Sequence, residues 1–430
     1  MSASTGASIY EKFDITSKEQ DKTVSIINGV IDFQYFEDLY SPIVTALAVI
    51  SNTGNTIDGQ GLYHGLPIIG GEQVNIKIKT PFDAIFEKPG SFEYTMVVDK
   101  VTNYISNRQM EGFVLHLTSR EAISARQIRV SRKYTGMTID KTLSKIIGLV
   151  QPTQPVDFEQ TETVWPLTGN MKLPFWWAIK LAARAVPVGA KSNSAGFFFW
   201  QTKRGFNFKS MDGLSKTAIK NKKIVQRYYY RQTFEDGHRN PKYQATSLLD
   251  FRVNKTIDLS ESISKGEYSS NRIFIDPYNY ETTPRTVSKF EPKGGTKLGE
   301  KSPIPKIVDP KQSPPNNSRT FVGMYNVGTL DVGVSTSRAY NPLDSVGQSA
   351  ARYSSFTNID CHILVPVNTN LCAGDAVHLE FPKVSSESPD IDRRQSGLYI
   401  IKEITHKFFP NKSYTAMRLV KDNPGIKTKS

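Results

Sequence analysis

The sequence predicts a mainly β protein with α/β additions: two similar antiparallel β-barrels, an outer α/β domain and an extended arm. Three observations carry that expectation. Apolar residues alternate with polar ones at both ends of the chain, as in Val74, Ile76 and Ile78 against Asn75, Lys77 and Lys79. That is the period of a half-buried strand. The same pattern returns late in the chain with the same parity. Between the two, a mixed region holds helix signals, and a Pro-rich run breaks up the later part of the chain.

Composition agrees. Of 430 residues, 23 are Phe and 19 are Tyr, both strand-favouring types. At this length about three domains are expected. Hydrophobic residues reach 38% and charged residues 22%, so disorder throughout is excluded. The net charge is +13, but 41 acidic residues are spread among 54 basic ones, and no basic tail is present. The charge admits nucleic acid, an acidic protein face or a membrane surface and does not choose among them.

Residues 1–21 are polar and read as a loose N-terminal arm. Residues 22–122 read as the first β-barrel, with Phe113, Leu115 and Leu117 marking another alternating strand. Residues 123–240 read as the outer α/β domain. There Thr138 can cap a helix over 139–149, and Pro174 opens a second over 175–185. Phe197–Trp200 and Phe206–Phe208 flank Thr202–Gly205, the pattern of a β-hairpin. Residues 241–285 together with 341–424 read as the second barrel. Within them Arg272–Ile275 is the clearest strand of the earlier part, and a helix is expected over 343–357. Residues 286–340 form a Pro/Lys/Gly-rich insertion, with Pro292, Pro303, Pro305, Pro310, Pro314 and Pro315 in its part 286–318.

The repeat is specific in its parity. Gly71–Ile78 aligns with Gly374–Phe381, so that Val74, Ile76 and Ile78 fall on Val377, Leu379 and Phe381. Val97–Val101 then aligns with Ile400–Ile404 and Thr102 with Thr405. After a loop differing by one residue, Val114–Leu117 aligns with Ala416–Leu419. A one-residue slip would turn every side chain to the opposite face, so parity kept across three strands indicates one β unit used twice.

Three stretches resemble the baseplate central hub protein family of T-even-type contractile phages. They are Tyr94–Glu121; Trp176–Asp212; and Pro366–Asp375 with Ser396–His406. The last is also similar to hub modules of bacterial injection systems. The resemblance implies a homotrimer whose two tube domains per chain make a nearly sixfold ring. It implies as partners the spike protein of the baseplate, tail tube or tube-initiator proteins and baseplate wedge proteins, with DNA only as cargo through the channel. It places the chain in the virion's tail baseplate, assembled in the host cytoplasm. It carries over no catalytic residue. The Pro-rich segment 286–318 departs from the family pattern.

No catalytic, cofactor-binding or metal site is expected, and no cofactor. His64, His116, His238, His362, His378 and His406 lack the paired spacing of a zinc helix. Gly333–Ser337 lacks the closing Gly of a nucleophile elbow. In Gly294–Ser302, Glu300 separates Gly299 from Lys301, which spoils a phosphate loop. Cys361 and Cys372 read as buried free thiols in a reducing compartment. Lys216–Arg231, with Tyr228–Tyr230 inside it, is the one basic–aromatic stretch suited to single-stranded nucleic acid. A nucleic-acid-binding protein and a tail-associated cell-wall hydrolase are therefore the competing expectations. The start has no signal-peptide pattern. The most apolar stretch, 175–186, is broken by Lys180 and Arg184 and is short of the ~20 residues a membrane span needs.

Overall fold

The computed structural model of the chain describes residues 7–17, 22–54, 57, 59–80, 91–107, 109–189, 196–222, 225–230, 241–255, 258–267, 270–277, 282–287, 298, 319–326, 328, 340–383 and 391–423. The first part of the chain holds β1 (Ile9–Thr16), β2 (Thr23–Ser25), β3 (Val30–Asp38), β4 (Thr45–Asn52), the short α1 (Leu62–Gly65), β5 (Gln73–Lys79), β6 (Phe92–Ser106) and β7 (Glu111–Thr118). The middle holds α2 (Arg120–Gln127), β8 (Lys133–Tyr134), α3 (Ile139–Gly148), β9 (Val156–Phe158), β10 (Leu167–Thr168), α4 (Pro174–Ala182), β11 (Phe197–Thr202), β12 (Gly205–Ser210), α5 (Met211–Lys220) and β13 (Gln226–Tyr229). The remainder is α6 (Pro241–Ala245), β14 (Asp250–Lys255), α7 (Leu259–Ser264), β15 (Ser270–Ile275), β16 (Thr282–Val287), β17 (Thr320–Met324), α8 (Pro342–Phe356), β18 (Ile359–Pro366), β19 (Ala376–Glu380), β20 (Gly397–Phe408) and β21 (Ser413–Lys421).

The fold is mainly β, as expected. One 13-stranded sheet runs β14-β18-β21-β20-β3-β4-β7-β6-β5-β1-β2, with β19 beside β20 and β13 parallel to β19. Two cores line it. Phe13, Phe33, Tyr35, Val74, Ile76, Phe92, Leu115 and Leu117 belong to the first. Val377, Leu379, Tyr399, Ile401, Ile404, Met417 and Leu419 belong to the second. Each strand puts alternate residues into its core, the arrangement the period-two pattern requires.

The two lobes repeat in register. Val74 pairs with Met96 and Ile76 with Tyr94; Val377 pairs with Tyr399 and Leu379 with Gly397. The β6–β7 ladder shifts between Val98 and Lys100, and the β20–β21 ladder shifts at the equivalent place, between Ile401 and Glu403. Gly71 and Gly374 both hold left-handed backbone, at φ +93° and +89°. Gly71 N–H donates to Val98 O at 2.7 Å, and Gly374 N–H donates to Ile401 O at 2.8 Å. In each turn the next carboxylate caps the loop: Glu72 accepts from Ile69 N and Asp375 from Cys372 N, both at 2.9 Å. The outer strands correspond too. β4 and β3 lie beyond β7 as β18 and β14 lie beyond β21.

Some segments differ from expectation. The residue 1–21 arm is not loose throughout, because β1 pairs along β5 and buries Phe13 and Ile15 completely. Its charged residues mask an alternation that is apolar at only two inward positions. Among the described strands of residues 241–285, only β14 joins the large sheet. β15 and β16 form a separate three-stranded sheet with β17, which comes from the 286–340 insertion. Arg272, on β15, is buried and donates from Nη1 to Leu343 O at 2.5 Å, which ties that small sheet to α8. β13, from the end of the 123–240 segment, adds to the large sheet beside β19.

The middle segment packs α3 and α4 against the sheet β11-β12-β9. Phe199 and Phe206 stack with centroids 5.7 Å apart, and Phe197 and Phe208 at 4.6 Å. Thr138 stands at the N-cap of α3, but its hydroxyl does not cap the helix. The Asp140 amide instead donates to Thr161 Oγ1 at 3.0 Å, so a neighbouring loop satisfies that helix end. Pro174 opens α4, Trp177 and Leu181 are buried, and Trp176 faces out.

Candidate assembly interface

The lobes meet along β20 and β3. Six residue pairs run from Glu403 opposite Asp38 to Phe408 opposite Phe33. Two of these pairs put aromatic rings face to face: Phe33 on Phe408 at 5.9 Å and Tyr35 on His406 at 6.2 Å. Phe92 closes the cluster, 4.9 Å from Tyr35 and 5.6 Å from Phe408. Cross-strand aromatic pairs of this kind contribute roughly 0.5–1 kcal/mol each beyond the backbone bonds.

His406 is fully buried. Its Nε2 faces Leu371 O at 3.3 Å and so carries the proton. Nδ1 then accepts from the Thr415 hydroxyl at 3.0 Å, while that hydroxyl accepts from Asn368 N. Burial, with Lys203 nearby, pushes the imidazole pKa down to about 3. The ring is a neutral structural element.

Glu37 is the buried charge of this junction. It lies at the same parity as Phe33 and Tyr35, where the core faces. Oε1 accepts from Tyr35 Oη at 3.0 Å and from Lys203 N at 2.8 Å; Oε2 accepts from Ala373 N at 2.8 Å. One carboxylate thus joins the first lobe, the β11–β12 hairpin and the turn before β19. Burial raises its pKa even against three donors and the nearby Lys203.

The hairpin tip is pushed into that turn. Trp200 Nε1 donates to Ala373 O at 2.9 Å, Lys203 Nζ to Thr369 O, and Arg204 to Asn370 O and to Asp375 Oδ1 at 3.0 Å. A Cβ on Gly374 would lie 2.5 Å from Trp200 Cζ2, so glycine is needed both for its φ and for the indole's room. On the outward face Arg418 grips Asp360 with two nitrogens and reaches Glu403 at 3.0 Å.

Among the open strand edges, two lie at matching places in the two lobes. β14 has β18 on one side and no strand on the other, and Lys100–Ser106 of β6 has only β7, among the described residues. Ile105 is 68% exposed at that second edge, with Tyr104 and Met110 partly exposed near it.

The residues singled out by sequence are mostly not brought together. Cys361 and Cys372 are both buried thiols, and burial raises their pKa values. Gly294–Lys297, Gly299–Ser302 and Gly333–Ser337 lie outside the described residues, as does His238. No grouping of His, Cys, Asp and Glu suited to a metal occurs among the described residues. The basic–aromatic stretch is divided. Lys216 and Lys220 are exposed on α5, but Tyr228 is buried and accepts from Asn368 Nδ2 at 3.2 Å, and Tyr230 packs on Phe251. Those two rings are committed to the core and offer no stacking platform for bases. No described helix is long and apolar enough to cross a membrane.

Sequence reading missed Glu37 and the hairpin joint. The signal was present: Phe33, Tyr35 and Glu37 share one parity, and a carboxylate at a core position demands several donors.

The whole architecture is found in solved tail proteins. The 43 kDa tail protein of prophage MuSo2 from Shewanella oneidensis superposes with a TM-score of 0.53 at 8% identity, over 96% of this chain and 100% of that one. A tail protein from Neisseria meningitidis MC58 gives a TM-score of 0.50 at 10% identity, over 97% of each chain. No protein-family model and no curated protein matches the sequence. The likeness is therefore one of fold, shared with these two tail proteins.

Proposed function

We propose that this chain is a non-enzymatic structural subunit of a contractile phage tail, the central hub of its baseplate. Three copies form a ring that is threefold by chain and nearly sixfold by lobe. One face of the ring meets the tail tube or its initiator proteins and the other meets the spike, with wedge proteins outside. DNA passes through the channel only as cargo, and the particle assembles in the host cytoplasm. The observation that carries this reading is the repeat of two lobes in one register, down to the matched turn glycines and the matched ladder shift. Two equivalent lobes per chain let three chains meet a sixfold neighbour. The phage-tail fold supports the same reading. Native mass measurement of the purified chain, with averaged electron-microscopy views down the ring axis, tests it. A trimer showing six lobes is expected. A chain that remains a monomer even with the spike protein present overturns the proposal.

A further inference from the structure

The closed joint inside the chain shows how the open edges of β6 and β14 would fit. β20 is covered by β19 and the Asp375 turn as far as Ile401, and its remainder, Glu403–Phe408, is paired with β3. β6 is built alike. β5 covers Phe92–Val97, the Glu72 turn covers Val98, and Lys100–Ser106 runs on with β7 on one side alone among the described residues. β3 lies between β4 and β20, whereas its counterpart β14 has only β18 among the described residues. Each lobe thus carries the same two edges, and the chain makes one of the two equivalent joints.

We infer that the second joint is made between copies: β6 of one chain pairs antiparallel with β14 of the next, Ile105 opposite Arg252 and Ser106 opposite Phe251. The register follows from the ladders. Ile105 faces Gly112 of β7 as Lys407 faces Tyr414 of β21, and Arg252 faces His362 of β18 as Gln34 faces Leu47 of β4. Within the chain Lys407 is opposite Gln34, so Ile105 falls opposite Arg252. The inference rests on the proposed ring and deepens it by naming the edges and their register.

A second copy fits these edges better than any other occupant. The same kind of joint already exists in the chain; β6 adds a bulge between Thr102 and Ile105, with Asn103 at φ +55°, and the pairing assigned to it lies beyond that bulge. The two edges are different surfaces, which makes the contact head-to-tail and lets it close into a ring. Ile105, Tyr104 and Met110 are exposed at 68%, 40% and 43% at an open edge that soluble proteins otherwise cover or charge. At the closed joint Lys407 stands where Ile105 does, and Phe408, which stands where Ser106 does, is fully buried.

Cysteine pairs in the full-length chain test the register. The natural Cys361 and Cys372 are buried and leave the surface clear. Ile105→Cys combined with Arg252→Cys should oxidise into species of two and three linked chains on a non-reducing gel. Each single variant should give no linked trimer. Ile105→Cys with Asn254→Cys, two residues out of register on the same strand, should link at least about fivefold less. If native mass gives a trimer but the Ile105/Arg252 pair stays unlinked in a variant that melts like the parent, the edge assignment is wrong and the ring survives. If the out-of-register pair links equally well, the register is wrong. A chain that is monomeric by native mass under all conditions removes the ring and this joint with it.

Discussion

Glu37 and Ala373 are 336 residues apart in the sequence, yet a carboxylate oxygen of one accepts the amide of the other at 2.8 Å. That bond, with those from Tyr35 and Lys203, makes one buried side chain the common acceptor for two lobes and a hairpin. Glu37→Ala should destabilise the chain by about 3 kcal/mol or more, since three buried donors lose their acceptor. Glu37→Gln should cost less, because its carbonyl can still serve two of the three. Urea unfolding of the two variants would order them.

The same carboxylate has a pH signature. Its folded pKa is raised above the unfolded value, so the native state binds the extra proton more tightly. Its contribution is therefore most favourable at low pH and declines as pH rises from the ordinary carboxylate value through the raised one. Glu37→Gln should remove that decline, measurable as a flatter stability profile through the weakly acidic range.

His406 acts with the opposite sign. Its folded pKa is about 3 and its ordinary value 6.5, so the unfolded chain takes up the proton first. Stability should fall as pH drops below 6.5, by about 1.4 kcal/mol per pH unit at most, until the native ring also titrates. His378, lowered by burial and neighbouring cations to about 4, adds to this slope. His406→Gln should leave only the His378 part, and urea midpoints at about pH 7 and about pH 5, on either side of the ordinary histidine value, would separate the two.

Gly374→Ala tests the hairpin joint. The methyl meets both a left-handed backbone and the Trp200 ring at 2.5 Å, so the cost should exceed the ~1 kcal/mol of left-handed strain alone. Trp200→Phe removes the contacting atom. In a double-mutant cycle the two changes should be less than additive. Strict additivity would mean that the indole yields at no cost.

Arg352 and Asp212 form a buried ion pair between α8 and α5. Arg352→Met should cost about 3–5 kcal/mol by leaving a buried carboxylate without its main counter-charge. Adding Asp212→Asn should recover part of the loss, and thermal melts of the single and double variants would show it.

The repeat was legible because parity is a strict code: Val74 and Val377 could be matched from spacing alone, and their ladders proved equivalent. The β11–β12 hairpin was legible from Thr202–Gly205. What spacing cannot specify is the partner of a strand. β14 and β15 are both six residues long, and the one with the clearer strand pattern, β15, sits in a separate sheet while β14 extends the large one. β1 was hidden by its charges, and Glu37 by the habit of reading carboxylates as surface. In both cases the deciding fact was the face on which the residue fell.

The pairing of β3 with β20 also has a consequence in time. Residues 33–38 leave the ribosome hundreds of residues before their partners at 403–408. Until then the N-terminal lobe carries a bare hydrogen-bonding edge beside Phe33 and Tyr35, a template for wrong pairing. Closing this long-range contact should be a slow, late event in folding. A chain cut short before residue 403 would hold that edge open for good, and its expected fate is aggregation rather than a smaller working subunit.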